Sequence, residues 1–266
     1  MRVALVQLAA GIDPAANLDV VHRLTQDVEA DLIVLPEAVM CDFGPPDMRL
    51  GPVAQRLDGP FVAALAAIAR DRGACVVAGM FERSDDPERP YNTLVALAPD
   101  GALAGTYRKT HLYDSFGYRE SDRLTAGPAE PVVVSLADRR LGLMTCYDLR
   151  FPEQARALVD AGSDVLVVPA AWVRGPLKES HWVTLLRARA IENTVDVVAA
   201  AQCGRLYCGN SMAVDPMGVV LAALGEAEGV VSAVLDERRL HSVREQNPAL
   251  SHRRWAVVQL DRVALD

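Results

Sequence analysis

Runs that are apolar at nearly every position, such as Leu-Ile-Val-Leu and Val-Leu-Val-Val, alternate with segments of helical spacing along most of this chain. That alternation confines it to layered α/β architectures. A strand that is apolar on both sides must be covered on both faces. Other runs alternate apolar with polar residues, so two sheets stacked face to face with helices outside accommodate both kinds. The pattern by itself leaves an open doubly wound sheet equally available. The spacing predicts strands over residues 2–8 and 31–35 with a helix over 17–29 between them, then a helix over 59–72 and a strand over 74–80. Pro99-Asp100-Gly101 marks a hairpin between strands 93–97 and 103–107. Strands over 132–136 and 141–145, a helix over 152–161, a strand over 165–168 and a helix over 180–194 follow, with late strands at 197–201, 212–214, 219–222 and 230–234. No linker interrupts the series, so one domain spanning residues 1–266 is expected.

Composition narrows the partners. With 51% hydrophobic residues in 266, the chain can bury a large core. A net charge of -8 without a dense Lys/Arg block argues against a nucleic-acid surface and for small molecules. No stretch approaches the roughly 20 apolar residues of a membrane span, and the N-terminus runs straight into a strand pattern, so a soluble cytoplasmic protein is the expectation. Five cysteines, an odd number without tight spacing, do not form a disulfide framework. Cys41, Cys75, Cys203 and Cys208 are expected to be packed thiols, and the Cys203/Cys208 pair lacks the second pair or nearby His of a zinc site. There is no Gly-x-Gly-x-x-Gly after the first strand and no phosphate-loop Lys, which removes the main support for nucleotide binding.

Three chemically capable residues stand at the ends of strand-like runs. Cys146 lies between a predicted strand and a helix opened by Phe151-Pro152-Glu153, where Pro in the first turn costs no hydrogen bond. Such a turn lifts a side chain above the sheet edge and leaves backbone N–H groups, including that of Tyr147, facing a developing oxyanion. A buried strand-end Cys is the ordinary alternative. Glu37 follows Pro36 after an apolar strand, where its carboxylate must meet a cation, reach a cleft at the carboxyl ends of the strands, or simply be solvated. Lys109, between Arg108 and Thr110, reads in isolation as a solvated turn. In combination the three supply the base, cation and nucleophile of a cysteine hydrolase.

Pro36-Glu37, Tyr-Arg-Lys-Thr-His-Leu at 107–112 and Cys-Tyr-Asp-Leu-Arg-Phe-Pro-Glu at 146–153 resemble motifs of the nitrilase superfamily of carbon-nitrogen hydrolases, and the resemblance extends over essentially the whole chain. It implies a four-layer α-β-β-α sandwich, usually dimeric, with a Glu-Lys-Cys triad at Glu37, Lys109 and Cys146. Glu120, in Phe-Gly-Tyr-Arg-Glu-Ser, is similar to a second active-site glutamate of many members, although Phe116-Gly117-Tyr118 departs from a segment that varies among relatives. Within the superfamily the likeness runs to amidases of deaminated glutathione, carried by Gly-Leu-Met-Thr-Cys-Tyr-Asp-Leu-Arg at 142–150, by the segment 169–179, by His181-Trp182, and by segments 186–192 and 199–204. The implied chemistry is hydrolysis of the amide of a small carboxylate-bearing substrate through a Cys146 thioester. Glu37 is the base, Lys109 and the Tyr147 N–H hold the oxyanion, Glu120 helps to position water, and no metal or other cofactor is expected.

Tyr147, Arg150, Ala171 and Trp172 are the expected substrate-binding residues. Arg150 either orients a substrate carboxylate from one turn into the following helix or pairs with Glu153 or Asp148. Trp172 either walls the pocket or packs ordinarily. Arg174 and Lys178, in the loop after Pro169, suit a substrate with several carboxylates, as deaminated glutathione is, though charge there is also ordinary surface. Arg187, Arg189 and Glu192 are expected in intrahelical or subunit-interface ion pairs. His111 and His181 are expected to be structural, since Glu37 already supplies the base; a papain-like Cys-His enzyme needs one of them beside Cys146. The competing functions are an ω-amidase acting on α-ketoglutaramate, then a carbamoylase or nitrilase, and outside catalysis a binding scaffold. A homodimer is implied, with a C-terminal tail over about 237–266, notably 247–254, crossing the interface.

Overall fold

The computed structural model describes residues 1–136 and 138–259. Two six-stranded sheets carry the fold. The first contains β1 (Arg2–Gln7), β2 (Leu32–Val34), β3 (Cys75–Glu82), β4 (Tyr91–Leu97), β5 (Leu103–Arg108) and the late strand β14 (Gly229–Val234), in the order β14-β1-β2-β3-β4-β5. Between these and the second sheet lies a two-stranded hairpin of β6 (Asp114–Ser115) and β7 (Tyr118–Arg119). The second sheet contains β8 (Val133–Leu136), β9 (Arg139–Leu143), β10 (Val165–Val167), β11 (Asp196–Ala199), β12 (Met212–Val214) and β13 (Val220–Ala223), in the order β13-β12-β11-β10-β9-β8. Each sheet has three parallel strands at its centre and antiparallel strands outside them.

Alternation of side chains along a strand decides the layering. In β1, Ala4 and Val6 face a core shared with helices α1 (Pro14–Thr25) and α2 (Pro60–Arg72), whereas Val3 and Leu5 face the second sheet. In β10, Val165 and Val167 join that inter-sheet core, and Leu166 packs toward α3 (Pro152–Asp160) and α4 (Lys178–Asn193). Three apolar layers therefore separate four layers of structure. This is the α-β-β-α sandwich, and the open doubly wound sheet is excluded.

Boundaries moved where side chains compete for backbone groups. The first helix starts at Pro14 because Asp13 accepts the Ala15 N–H at 2.9 Å as an N-cap, and it ends at Thr25. The strand before Cys146 stops at Leu143 instead of residue 145. Helix α4 begins at Lys178, so Lys178 opens a helix and only Arg174 lies in the loop. The predicted tail contains α5 (Glu237–Gln246), in which only Leu240 and Val243 are buried, too few apolar positions to announce a helix. Residues 260–266 of that tail lie outside the described residues. Among the described residues no helix is long and apolar enough to cross a membrane.

Candidate active site

Glu37 lies just beyond the carboxyl end of β2, where Ala38 takes the left-handed conformation with φ 52°. The turn presses against β3 at Gly79, where an added Cβ would come within 2.6 Å of Ala38 N and 2.7 Å of the Glu37 Cα. Only glycine admits that approach. The Glu37 carboxylate is buried and fixed from both sheets. Asn92 Nδ2 of β4 donates to Oε1 at 2.7 Å, Lys109 Nζ donates to the same oxygen at 3.0 Å, and the Ala171 N–H beyond β10 donates to Oε2 at 2.6 Å.

Lys109 follows β5, its backbone tied to Asn92 by an N–H bond to the Asn92 carbonyl at 2.8 Å. Its ammonium also donates to Glu120 Oε2 at 2.9 Å and Oε1 at 3.1 Å. Burial opposes the charge on Lys109, but Glu120 and Glu37 outweigh it and hold its pKa well above the usual lysine value. Burial raises the Glu120 pKa, with Lys109 pulling it down and Glu37 adding to the rise. Glu120 opens a 3-10 turn after the β6–β7 hairpin, and its Oε2 accepts the Tyr113 N–H at 2.5 Å.

Cys146 opens a separate 3-10 turn, Cys146–Arg150, with φ 48°. A non-glycine residue held there carries strain that the surroundings must fix. They do so through the Cys146 N–H, which donates to the Pro169 carbonyl at 3.0 Å, and through Asp148. Asp148, fully buried, accepts Thr145 N–H at 2.8 Å, Tyr107 Oη–H at 2.7 Å, His111 N–H at 3.1 Å and His111 Nδ1 at 2.8 Å. Tyr107 and His111 flank Lys109, so one carboxylate registers the cation's segment against the nucleophile's turn. Burial pushes the Cys146 thiol well above its usual pKa, and the charge and hydrogen bonding of Glu37 add to this while Lys109 opposes it. Burial and the Glu37 carboxylate together outweigh the Lys109 ammonium, so the thiol stays protonated.

These groups line a cavity of about 430 Å³. The structure brings together all four residues expected to act chemically, Glu37, Lys109, Cys146 and Glu120, and Tyr147, Arg150, Ala171 and Trp172 line the same space. Their parts differ from expectation in detail. The Ala171 N–H is taken by Glu37, so its contact with the cavity is steric. The Tyr147 N–H meets no acceptor among the described residues. Trp172 is both wall and packing, since its Nε1 donates to the Lys178 carbonyl at 2.8 Å and its ring lies 5.3 Å from that of Trp182. Arg150 is not inside α3, which starts at Pro152, and pairs with neither Glu153 nor Asp148. Its guanidinium stands 4.9 Å from the Trp172 ring and 3.4 Å from His181 Nδ1.

Arg174 reaches the cavity, but its charge is paired with Glu226 at 2.9 Å. Arg189 and Glu192 form the expected intrahelical pair at 2.7 Å, whereas Arg187 donates to the Gly218 carbonyl instead. The His111 ring stacks on Phe151 at 3.7 Å and bonds to Asp148, a structural use. Sequence reasoning passed over Asn92. Its signal was available, because an amide in the mostly apolar, buried Tyr-Asn-Thr-Leu-Val-Ala-Leu strand is costly unless partnered. Among the described residues no group of three or more His, Cys, Asp or Glu side chains is arranged to hold a metal.

The carbon-nitrogen hydrolase family profile matches residues 2–245, which include every group of this site. The chain belongs to the carbon-nitrogen hydrolase family. This hydrolase is 42% identical over 264 residues to a deaminated glutathione amidase of Escherichia coli, covering 98% of this chain and all of that protein. It is 37% identical to the human deaminated glutathione amidase over 95% of this chain and 82% of that one. Among solved structures, a Xanthomonas campestris protein of the CN-hydrolase superfamily, with an arsenic adduct in its active site, superposes with a TM-score of 0.87 at 31% identity, covering 97% of this chain and 99% of that one. These neighbours share the nitrilase-type sandwich described above.

Proposed function

We propose that this hydrolase is an amidase acting on deaminated glutathione, with Glu37, Lys109, Cys146 and Glu120 in catalytic roles and Tyr147, Arg150, Ala171 and Trp172 forming the substrate wall. The observation that carries it is the meeting of a protonated thiol, a carboxylate fixed by three donors and a charged ammonium at one cavity whose other walls bear cations. Glu37 takes the Cys146 proton as sulfur attacks the amide carbonyl. An ammonium has three N–H donors; Glu37 Oε1 takes one, and the two Glu120 oxygens can share a second as a bifurcated pair. The third and the Tyr147 N–H are available to the oxyanion, and removing one such donor costs about 10²–10³ in rate. As the C–N bond breaks, Glu37 returns its proton to the departing amine and leaves a thioester on Cys146. Water, deprotonated by Glu37, then releases the acid and restores the thiol. Glu120 is occupied by Lys109 and Tyr113, which supports a role in orienting the cation more than in handling water.

Deaminated glutathione carries a carboxylate at each end, with an amide between an oxo acid and a cysteinylglycine dipeptide. The named relatives and the cationic walls support it as substrate. The test is to trap the acyl-enzyme by mass spectrometry with deaminated glutathione. An adduct of oxo-acid mass that disappears in Cys146→Ala is expected, and an adduct surviving that change defeats the assignment.

We also infer that residues 1–266 act as one hydrolase domain and that the active form is a cytoplasmic homodimer. Five free cysteines support a reducing compartment. Trp255 at 90% and Val258 at 73% exposure, both in the tail, support a contact with a second copy. Sedimentation at micromolar concentration tests this, a monomer being the adverse result.

A further inference from the structure

The cavity holds more positive charge than its chemistry uses. Lys109 is matched by Glu37 and Glu120, and Arg174 by Glu226. Lys178 has no carboxylate partner among the described residues, although it is only 6% exposed. Its Nζ donates to Tyr113 Oη at 2.9 Å and lies 4.5, 4.8 and 5.4 Å from the ring centres of Phe116, Tyr113 and Trp172. The Arg150 guanidinium stands over two of the same rings, 4.9 Å from Trp172 and 5.9 Å from Phe116. Burial and the charge of Arg150 both press the Lys178 pKa below the usual lysine value.

An ammonium on a side chain this little exposed is costly to hold unless it is compensated. Aromatic faces offset part of that cost. One hydroxyl satisfies only one of three donors. The remaining compensation must arrive from outside the protein, and the space beside Lys178 is the substrate cavity.

We propose that Lys178 is a specificity-determining residue that pairs with a substrate carboxylate alongside Arg150, so that the site selects anionic amides over neutral ones of the same shape. This rests on the amidase reading above. The Lys178 backbone carbonyl, not its side chain, holds Trp172, so replacing the side chain leaves that wall bonded.

The experiment uses the full chain carrying Cys146→Ala, which binds without turning over. Calorimetry compares the C5 monoamide of 2-oxoglutarate, an anion, with the corresponding neutral diamide. The Cys146→Ala protein is expected to prefer the monoamide. Adding Lys178→Met is expected to shrink that preference by about tenfold to a hundredfold, the worth of a charge-assisted hydrogen bond. Adding Lys178→Arg is expected to retain it. An equal preference with Met at position 178, or no preference to begin with, overturns the inference. Failure of the wild-type enzyme to release cysteinylglycine from deaminated glutathione, with the monoamide still binding with the expected preference, defeats the amidase reading alone.

Discussion

Asp148→Asn tests how the nucleophile and the cation are held in register. The carboxylate accepts four donors, two on each oxygen, and an amide can replace only one oxygen as an acceptor. With the new NH2 group toward Tyr107, it meets an O–H that cannot turn away, because the Tyr107 oxygen already accepts from Thr110 N at 3.1 Å and Gln154 Nε2 at 2.7 Å. The Thr145 N–H is orphaned as well. With the NH2 group toward His111, the ring accommodates it by changing tautomer, but the His111 backbone N–H loses its acceptor. The second orientation is the cheaper. It orphans one buried donor at about 1–3 kcal/mol and turns charge-assisted bonds into neutral ones, for a total of about 3–5 kcal/mol. At about 2–4 °C per kcal/mol for a chain of this size, the melting temperature falls by roughly 6–20 °C. Thermal unfolding followed by circular dichroism measures this, and acyl-enzyme formation measured well below the transition is expected to slow as Lys109 and Cys146 lose register. A melting temperature within about 2 °C of wild type, outside the range from that scaling, refutes the argument that Asp148 is the tie.

Glu37→Gln keeps the shape of the site but removes the proton acceptor, so kcat on deaminated glutathione is expected to fall by about 10²–10⁴; unchanged turnover, coupled with loss in His181→Ala, would instead support a Cys-His enzyme. Gly79→Ala drives a Cβ into the Glu37 turn, and steady-state kinetics are expected to show kcat down by at least about tenfold in a folded protein, since small displacements of a reacting group are costly. Asp196 of β11 concerns stability and pH. Burial pushes its pKa up to about 6 against the opposing hydrogen bond from Arg139. A carboxyl raised on folding contributes its full stability below the unfolded value, near pH 4, and loses it as pH climbs through the folded value. Relative to Asp196→Asn, which cannot ionise, the wild type is therefore expected to lose roughly 2–2.5 kcal/mol between pH 4 and pH 7 in urea melts; a difference that stays constant with pH contradicts the shift.

The strands were legible because burial on both faces leaves few polar positions, and the hairpin because Pro-Asp-Gly permits little else. Elements with weak apolar signatures escaped. The β6–β7 hairpin has two residues per strand, and α5 buries two side chains among charged neighbours. For the site, Glu37 and Cys146 stood out at the ends of apolar runs, Lys109 only in combination with them, and Glu120 only through the family resemblance. Asn92 announced only that it needed a partner; which partner, and the parts played by Tyr113 and Asp148, could not be read, because the groups they meet lie 28 to 55, 65 and 37 to 41 positions away in the chain.

By itself, the amino-acid order determined a layered α/β chain with free thiols and three reactive groups at strand ends, because periodicity and burial cost act locally. Only the tertiary structure decided that the two sheets face one another, that Ala171 of one sheet grips Glu37 of the other, and that Lys178 meets no carboxylate among the described residues. Those outcomes depend on which surfaces meet, and that is set by long-range packing.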